Sequence, residues 1–354
     1  MGDALQGATS GRPLVIPLFI PHMGCPHRCI FCNQHAITGS SSRPPSPERI
    51  RQEVSCFLKY AKQRPSSTQI SFFGGNFLGL DRKTIRTFLK TAQTFVNSGR
   101  VDSIRFSTRP DTVNPATVRI LREFPVSTVE LGIQSMSDRI LDIAQRGHLS
   151  SDTRAATGLL KASGYQVGLQ MMVGLPGDDD AGALRTARRM VALKPDFVRI
   201  YPTLVLRGSP LAGWYQTSRY RPLPLEECVS LVKQIYLCFK SHGIPVIRMG
   251  LQASDGLSAD GDLIAGPYHP AFGHLVHSEI VLDAISSSLR EMASIPEALA
   301  VHTHPRMISR VQGLNGQNVS RLKQAFGLKH IRLVQDEDLE PHHMKVAGQA
   351  VVLP

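Results

Sequence analysis

Cys25, Cys29 and Cys32 fall within eight residues, in a segment running from Pro21 to His35. Thiolates are soft ligands for iron, zinc and copper(I). A fully ligated iron–sulfur cluster takes four cysteines, so three on one short loop leave one iron open to an outside ligand. An open position of that kind is also what separates catalytic from structural zinc. The competing assignment is a structural zinc held by Cys25, Cys29, Cys32 and His35. Short spacers of that type belong to small loop-rich modules. The remaining cysteines, Cys56, Cys228 and Cys238, sit singly in apolar-periodic segments and are expected as reduced core residues. Six cysteines in 354 residues do not make a disulfide framework.

Other chemistry-bearing residues cluster at the ends of strand-like runs. Gly74 and Gly75 precede Asn76, and paired glycines let backbone approach a ligand closely. Ser107, Thr108, Arg109 and Asp111 form a polar group whose hydroxyls could hold a ribose or a carboxylate. Gln134 ends the segment from Glu130. His148 follows Arg146 and Gly147 and reads either as a proton donor or as a helix-terminal histidine. Met172 stands before a Gly-Leu-Pro-Gly turn suited to adenine contact, and the Met171–Met172 pair is otherwise core. Tyr201 leads into a polar loop and faces either the core or the reacting centre.

These positions need elements to carry them. Strand-like runs at 14–20, 69–73, 103–107, 128–133, 167–173, 197–201 and 244–248 alternate with helical patterns. The helices are predicted at 47–63, 82–97, 115–122, 152–162, 181–193 and 225–240. Asp81, Pro115 and Asp152 stand where helix starts want them. Such alternation predicts an α/β fold with parallel strands, either doubly wound or a barrel. The order of segments predicts a flexible N-terminus at 1–13, a barrel over 14–250 and a linker loop with a helix extension at 251–297. A small α/β module follows at 298–354, with strand, helix and strand at 298–302, 317–326 and 329–334. A hydrophobic fraction of 42% excludes a disordered chain. No apolar run approaches a membrane span and no signal peptide is evident, so a cytoplasmic protein is expected, without a membrane partner. The net charge of +12 favours polyanionic partners.

The three-cysteine loop with an aromatic before its last cysteine resembles the radical S-adenosylmethionine (SAM) superfamily. That resemblance implies a partial (β/α)6 TIM-like barrel, a [4Fe-4S] cluster on Cys25, Cys29 and Cys32, and SAM as cofactor. It also implies SAM contacts from Phe31, Gly74, Gly75, Asn76, Ser107, Arg109, Gln134 and Met172. In the superfamily an acidic residue follows the two glycines, where this chain has Asn76. The segments 107–111, 130–135, 146–148, 201–208 and 246–249 are similar, in order, to the radical SAM half of the elongator protein 3 family. Members of that family add an acetyl-CoA-derived carboxymethyl group to the wobble uridine of tRNA. The family's acetyltransferase-like domain has no counterpart in this sequence, which implies a partner supplying acyl transfer, besides a reducing electron donor.

In the tail, Gly313-Leu-Asn-Gly316 precedes a helical pattern and resembles the core of a KH domain, whose Gly-x-x-Gly loop meets a phosphate chain. From Val301 to Arg332 there are six Lys or Arg and no Asp or Glu. Arg306, Arg310, Gly313, Gly316 and Arg321 are the candidate RNA contacts. The expected activity is radical SAM chemistry on RNA, with a wobble-uridine-like tRNA base as target. The alternatives are a small-molecule or peptide substrate, and a non-catalytic iron–sulfur RNA-binding protein.

Overall fold

The computed structural model describes residues 14–26, 28–34, 44–60, 66–252, 257 and 261–353. The N-terminal segment 1–13 and the zinc candidate His35 lie outside the described residues. Strand β1 (Leu14–Phe19) leads to helix α1 (Pro47–Tyr60). Next come β2 (Thr68–Phe73), α2 (Arg82–Asn97), β3 (Ser103–Thr108) and α3 (Pro115–Leu121). Then follow β4 (Val126–Gln134), α4 (Asp138–Ile143), α5 (Ser150–Ala162), β5 (Gln166–Val173) and α6 (Asp180–Ala192). The unit continues through β6 (Phe197–Pro202), β7 (Val205–Leu206), α7 (Pro210–Gln216), α8 (Leu225–Lys240) and β8 (Val246–Met249). Seven of these strands form one parallel sheet, ordered β1-β2-β3-β4-β5-β6-β8, that curls into a half-barrel. Six strand–helix units closed by a seventh strand match the expected partial barrel.

Parallel strands packed on both faces usually read as continuous apolar runs. These alternate instead. Ile16, Ile70, Phe106, Leu131, Leu169 and Ile200 point outward, where they are fully or almost fully buried under the helices. Each such side chain contributes roughly 1.5–3 kcal/mol on leaving water. Their neighbours Ser71, Arg105, Glu130, Gln170 and Arg199 point the other way, into the hollow of the barrel. The period-2 pattern is therefore imposed by a polar interior.

The helix starts follow capping chemistry. The Asp81 carboxylate accepts from Thr84 N at 2.9 Å, and Asn114 caps α3 with Pro115 in its first turn. Asp152 is not a start. It lies in the first turn of α5, which begins at Ser150, and its Oδ2 accepts from Leu149 N at 2.7 Å. A carboxylate there still satisfies an orphan amide, which is why it mimics a cap in sequence. Cys228 is fully buried and Cys238 half-buried, but Cys56 is exposed on α1, so the expectation of a core cysteine fails at that position. The helical periodicity around it does not reveal which face α1 turns to the sheet.

Beyond β8 come a short strand β9 (Leu263–Ala265), antiparallel to β7, and the long helix α9 (Phe272–Arg290). Helix α9 buries Phe272, Val276 and Ile280 in the barrel core, then Val281, Ile285 and Leu289 in a second core. That second core belongs to the tail: β10 (Ala298–Thr303), α10 (Ile308–Gln312), α11 (Gln317–Phe326), β11 (His330–Gln335), β12 (His343–Val346) and β13 (Gln349–Val352). The tail sheet runs β11-β10-β12-β13, with β10 and β11 parallel and the rest antiparallel. Gly313 to Gly316 joins α10 to α11, and both glycines adopt positive φ. The β12–β13 hairpin, α4, α7, β7 and β9 are too short for periodicity to announce. Among the described residues, no helix is long and apolar enough to cross a membrane.

Candidate active site

The carboxyl ends of the parallel strands open into a cavity of about 470 Å³. Its wall includes Cys25, Cys29, Cys32, Phe31, Gly74, Gly75, Ser107, Arg109, Gln134, Met172 and Tyr201. Residues far apart in sequence thus meet at the position where α/β folds carry their sites. Two candidates do not reach it. His148 is buried outside the cavity wall, with both ring nitrogens lacking a hydrogen-bond partner. Burial, with Arg146 and Arg109 nearby, lowers its pKa to about 4. Asn76 is the other. It is wholly buried, and its side chain is consumed within the protein.

Asn76 is the bracket that holds the cysteine loop. Its Nδ2 donates to Gly24 O at 2.9 Å, and its backbone N donates to Met23 O at 2.7 Å. Its Oδ1 accepts from Thr108 Oγ1 at 2.7 Å, from Arg109 N at 3.0 Å and from Thr112 Oγ1 at 3.0 Å. The Asn76 side chain is thus engaged within the protein: the amide both donates and accepts, and a carboxylate could not donate to Gly24 O. Gly75 lets the two loops touch, since a Cβ there would stand 2.3 Å from Met23 O. The far side of the cysteine loop is pinned by Ile30 N to Ala144 O at 3.2 Å and Leu211 N to Ile30 O at 2.8 Å.

The thiols lie in a desolvated place. Burial, then the neighbouring Cys29, raises the pKa of Cys25, and burial with Cys29 and Cys25 raises that of Cys32 to about 12. Arg146 Nη1 approaches Cys29 Sγ at 3.1 Å, while Nη2 donates to Gly132 O. Among the described residues, no three His, Cys, Asp or Glu side chains close around a single ion.

The end of β4 is irregular. The pairing with β5 shifts register between Gly132 and Gln134, and Gln134 sits at φ +66°. Such bulges re-aim side chains beside active sites. Here the shift turns Gln134 into the cavity, where its Oε1 is buried and has no hydrogen-bond partner. Gly132 leaves room, because a Cβ there would already be 3.1 Å from Gln134 Nε2.

Arginines dominate the electrostatics. Arg109 makes two 3.0 Å bonds to Asp111, leaving its buried Nη1 unpartnered. Glu130, 3% exposed, pairs with both Arg105 and Arg199, the latter at 2.8 Å. Arg199 Nη1 also donates to the Tyr201 hydroxyl at 3.3 Å and its guanidinium lies over the Phe73 ring. Burial opposes the charge on Arg199, but Glu130 and Tyr201 more than offset it and its pKa is raised. Arg146, Arg199, Arg248 and Gln170 on the wall were not singled out as site residues from sequence. For Gln170, Arg199 and Arg248 the available signal was a charged or amide side chain inside a strand that packing alone would have made apolar.

Comparison with known proteins accords with this geometry. Residues 19–190 match the radical SAM superfamily, and residues 195–281 match the radical SAM C-terminal domain. The chain is 30% identical over 268 residues to the tRNA uridine(34) acetyltransferase of Dehalococcoides mccartyi, covering 66% of this chain and 57% of that protein. The protein of the same name from Methanocaldococcus jannaschii is 27% identical, covering 63% and 48% respectively. Protein YhcC of Escherichia coli is 30% identical over 228 residues, covering 57% of this chain and 67% of that protein. The chain thus spans about half the length of the tRNA uridine(34) acetyltransferases it matches. Among solved structures, an archaeal Methanocaldococcus infernus Elp3 with an N-terminal deletion shares the fold, with a TM-score of 0.59 at 20% identity, covering 76% of this chain and 63% of that one. With the barrel, the cysteine loop and these matches in agreement, the chain belongs to the radical SAM superfamily of enzymes, whose cofactors are a [4Fe-4S] cluster and SAM.

Proposed function

We propose that this radical SAM enzyme modifies a base in RNA, with a tRNA wobble-uridine-like residue as target. The observation that carries the substrate is the similarity to proteins named tRNA uridine(34) acetyltransferase, which extends over two-thirds of the chain. Cys25, Cys29 and Cys32 are the proposed cluster ligands. Their chemistry supports this: Cys25 and Cys32, whose thiol pKa values desolvation raises, carry charge comfortably only beside a cation such as iron.

A reduced cluster held by Cys25, Cys29 and Cys32 would supply the electron for reductive cleavage of SAM, the radical chemistry that this cofactor pair provides. The chain holds, orients and shields this chemistry. Gly74 and Gly75 bring backbone carbonyls to the cavity, and Ser107 and Arg109 offer a hydroxyl and a buried donor for SAM. The free Oε1 of Gln134 awaits a donor, and Phe31 and Met172 provide apolar surface for the adenine. Tyr201 is the wall residue proposed to face the substrate, while His148 is not among the residues that line the cavity.

For the tail, RNA contact falls chiefly to Arg306 and the Gly313–Gly316 loop. Arg306 is exposed and makes no ion pair among the described residues, whereas Arg321 pairs with Glu279 and Arg310 turns onto Met307. The test is anaerobic. Protein reconstituted with iron and sulfide is reduced and given SAM with and without bulk tRNA, alongside Cys29→Ala. The expected result is 5′-deoxyadenosine that disappears in Cys29→Ala and rises several-fold with tRNA. Binding of tRNA should weaken as salt rises. SAM cleavage indifferent to tRNA would overturn the RNA reading in favour of a small-molecule substrate.

A further inference from the structure

The cavity has two sides. The residues assigned to SAM come from β2, β3, β4 and the start of the wall on β5, next to the cysteine loop that follows β1. The opposite side is built by β5, β6 and β8, ending at the other edge of the sheet. Register there places Gln170 beside Arg199, and Arg199 beside Arg248. All three line the cavity, as does Tyr201.

Two arginines paired in register are mutually repulsive, and a fold normally avoids the arrangement or neutralises it. Among the described residues, the available carboxylate does not suffice. Glu130 is shared between Arg105 and Arg199. Asp111 is engaged by Arg109, and Arg146 faces Cys29. Among the described residues, Arg248 donates only its Nε, to Gly250 O at 3.0 Å, and forms no ion pair. Among the described residues, Arg199 shares Glu130 with Arg105 of β3 and Arg248 has no carboxylate partner, which leaves this wall with a surplus of positive charge. The hydroxyl of Tyr201 accepts from Arg199, so its own proton is free to be donated. The Gln170 amide makes no side-chain hydrogen bond among the described residues. Two forked cations, a hydroxyl donor and an amide converging on one wall form the donor set that binds oxyanions.

We infer that the β5–β6–β8 wall is an oxyanion receptor, in which Arg248 and Arg199, assisted by Tyr201 and Gln170, hold a carboxylate or phosphate on the substrate or on a second small reactant. The inference rests on reading this cavity as the active site, but not on RNA being the substrate. A bound oxyanion would relieve the Arg199–Arg248 repulsion and fix the reacting group opposite the cysteines. Position is worth much in such chemistry, because a reactive radical attacks whatever hydrogen is presented to it.

The test is anaerobic calorimetry on cluster-loaded protein saturated with SAM, titrated at low ionic strength with acetate, inorganic phosphate and uridine 5′-monophosphate. Arg248→Gln is compared with wild type and with Arg119→Gln, a control that removes an exposed charge on α3. At least one oxyanion is expected to bind wild type and Arg119→Gln equally. It should bind Arg248→Gln about tenfold or more weakly, as the loss of a charge-assisted hydrogen bond implies. Preference for acetate identifies a small carboxylate reactant; preference for phosphate or the nucleotide identifies a nucleotide phosphate. Tyr201→Phe removes only a hydroxyl and should weaken the same ligand, which keeps the test valid should Arg248→Gln fail to fold. The inference is overturned if none of the three binds, or if Arg248→Gln and Arg119→Gln weaken binding alike. It is also overturned if SAM affinity itself falls in Arg248→Gln, because the wall would then serve the SAM carboxylate. Failure of tRNA to stimulate SAM cleavage, by contrast, would leave this result standing.

Discussion

Arg146 stands between the cysteine loop and the end of β4, one arm on Cys29 Sγ and the other on Gly132 O. Hydrogen bonds to cluster sulfurs stabilise the more negative, reduced state and so raise the reduction potential. With Cys29 as proposed ligand, Arg146→Met is expected to lower the cluster midpoint. A loss of roughly 1.4 kcal/mol corresponds to about 60 mV for one electron. Potentiometric titration followed by electron paramagnetic resonance reads this directly, and an unchanged midpoint would show that Arg146 acts only on loop position. The same residue contributes, after burial, to the state of His148. Burial first, then the neighbouring Arg146 and Arg109 cations, lowers the pKa of that imidazole to about 4, which favours its neutral form at neutral pH.

At the scale of elements, the cysteine loop is held by the turn that leaves β2. Ile30 anchors one side of the loop in a small apolar cluster, and the approach of the other side to β2 depends on Asn76, Gly75 and Gly24. Gly75→Ala would drive a methyl carbon into Met23 O at 2.3 Å and Ile20 O at 2.5 Å, both backbone atoms that cannot swing aside. We expect this single methyl to cost about 3 kcal/mol, in the range of severe core strain. Cluster incorporation, read as iron per chain and as visible absorbance, should fall with it. Retention of a full cluster and an unchanged melting temperature would show that the two loops can part without consequence. The bulge at Gln134 is the second local device. One irregular residue turns a side chain that strand alternation would have hidden.

At the scale of the whole molecule, α9 joins barrel and tail by burying one half in each core. The junction carries a titratable group. His277 lies edge-on to Tyr236 of α8, with ring centroids 5.1 Å apart, and its pKa is lowered to about 4. The causes are burial first, then Arg310 from the tail, His274 and Lys240. A histidine with a pKa lowered by folding binds its proton more readily when unfolded. Stability is therefore retained above the ordinary value of 6.5, falls as pH drops below it, and reaches its full loss below about 4. His148 adds a loss of the same sign. Urea midpoints measured between pH 7.5 and 4.5 should fall on acidification, and His277→Leu should flatten part of that slope. An unaltered slope in the variant would remove His277 from the junction's energetics.

Much of the molecule was legible from the residues alone. Apolar alternation and Pro or Asp punctuation marked the seven parallel strands and most of the helices between them, because both signals are local. The cysteine spacing pointed to the site for the same reason, since three thiolates on one loop need no tertiary partner to be recognised. Other features needed the folded chain. Asn76 read as a cofactor contact by analogy with an acid, and only tertiary packing showed its amide bracing Gly24 O. Cys56 read as core, although the face of α1 it occupies is set by how the helix meets the sheet. The pairing of Arg199 with Arg248, and the sharing of Glu130 by two arginines, depend on strand register, which brings together residues 25 to 69 positions apart in sequence. Local periodicity fixes what each element is; which side chains face one another across the barrel is decided by register and curl, which no short window of sequence contains.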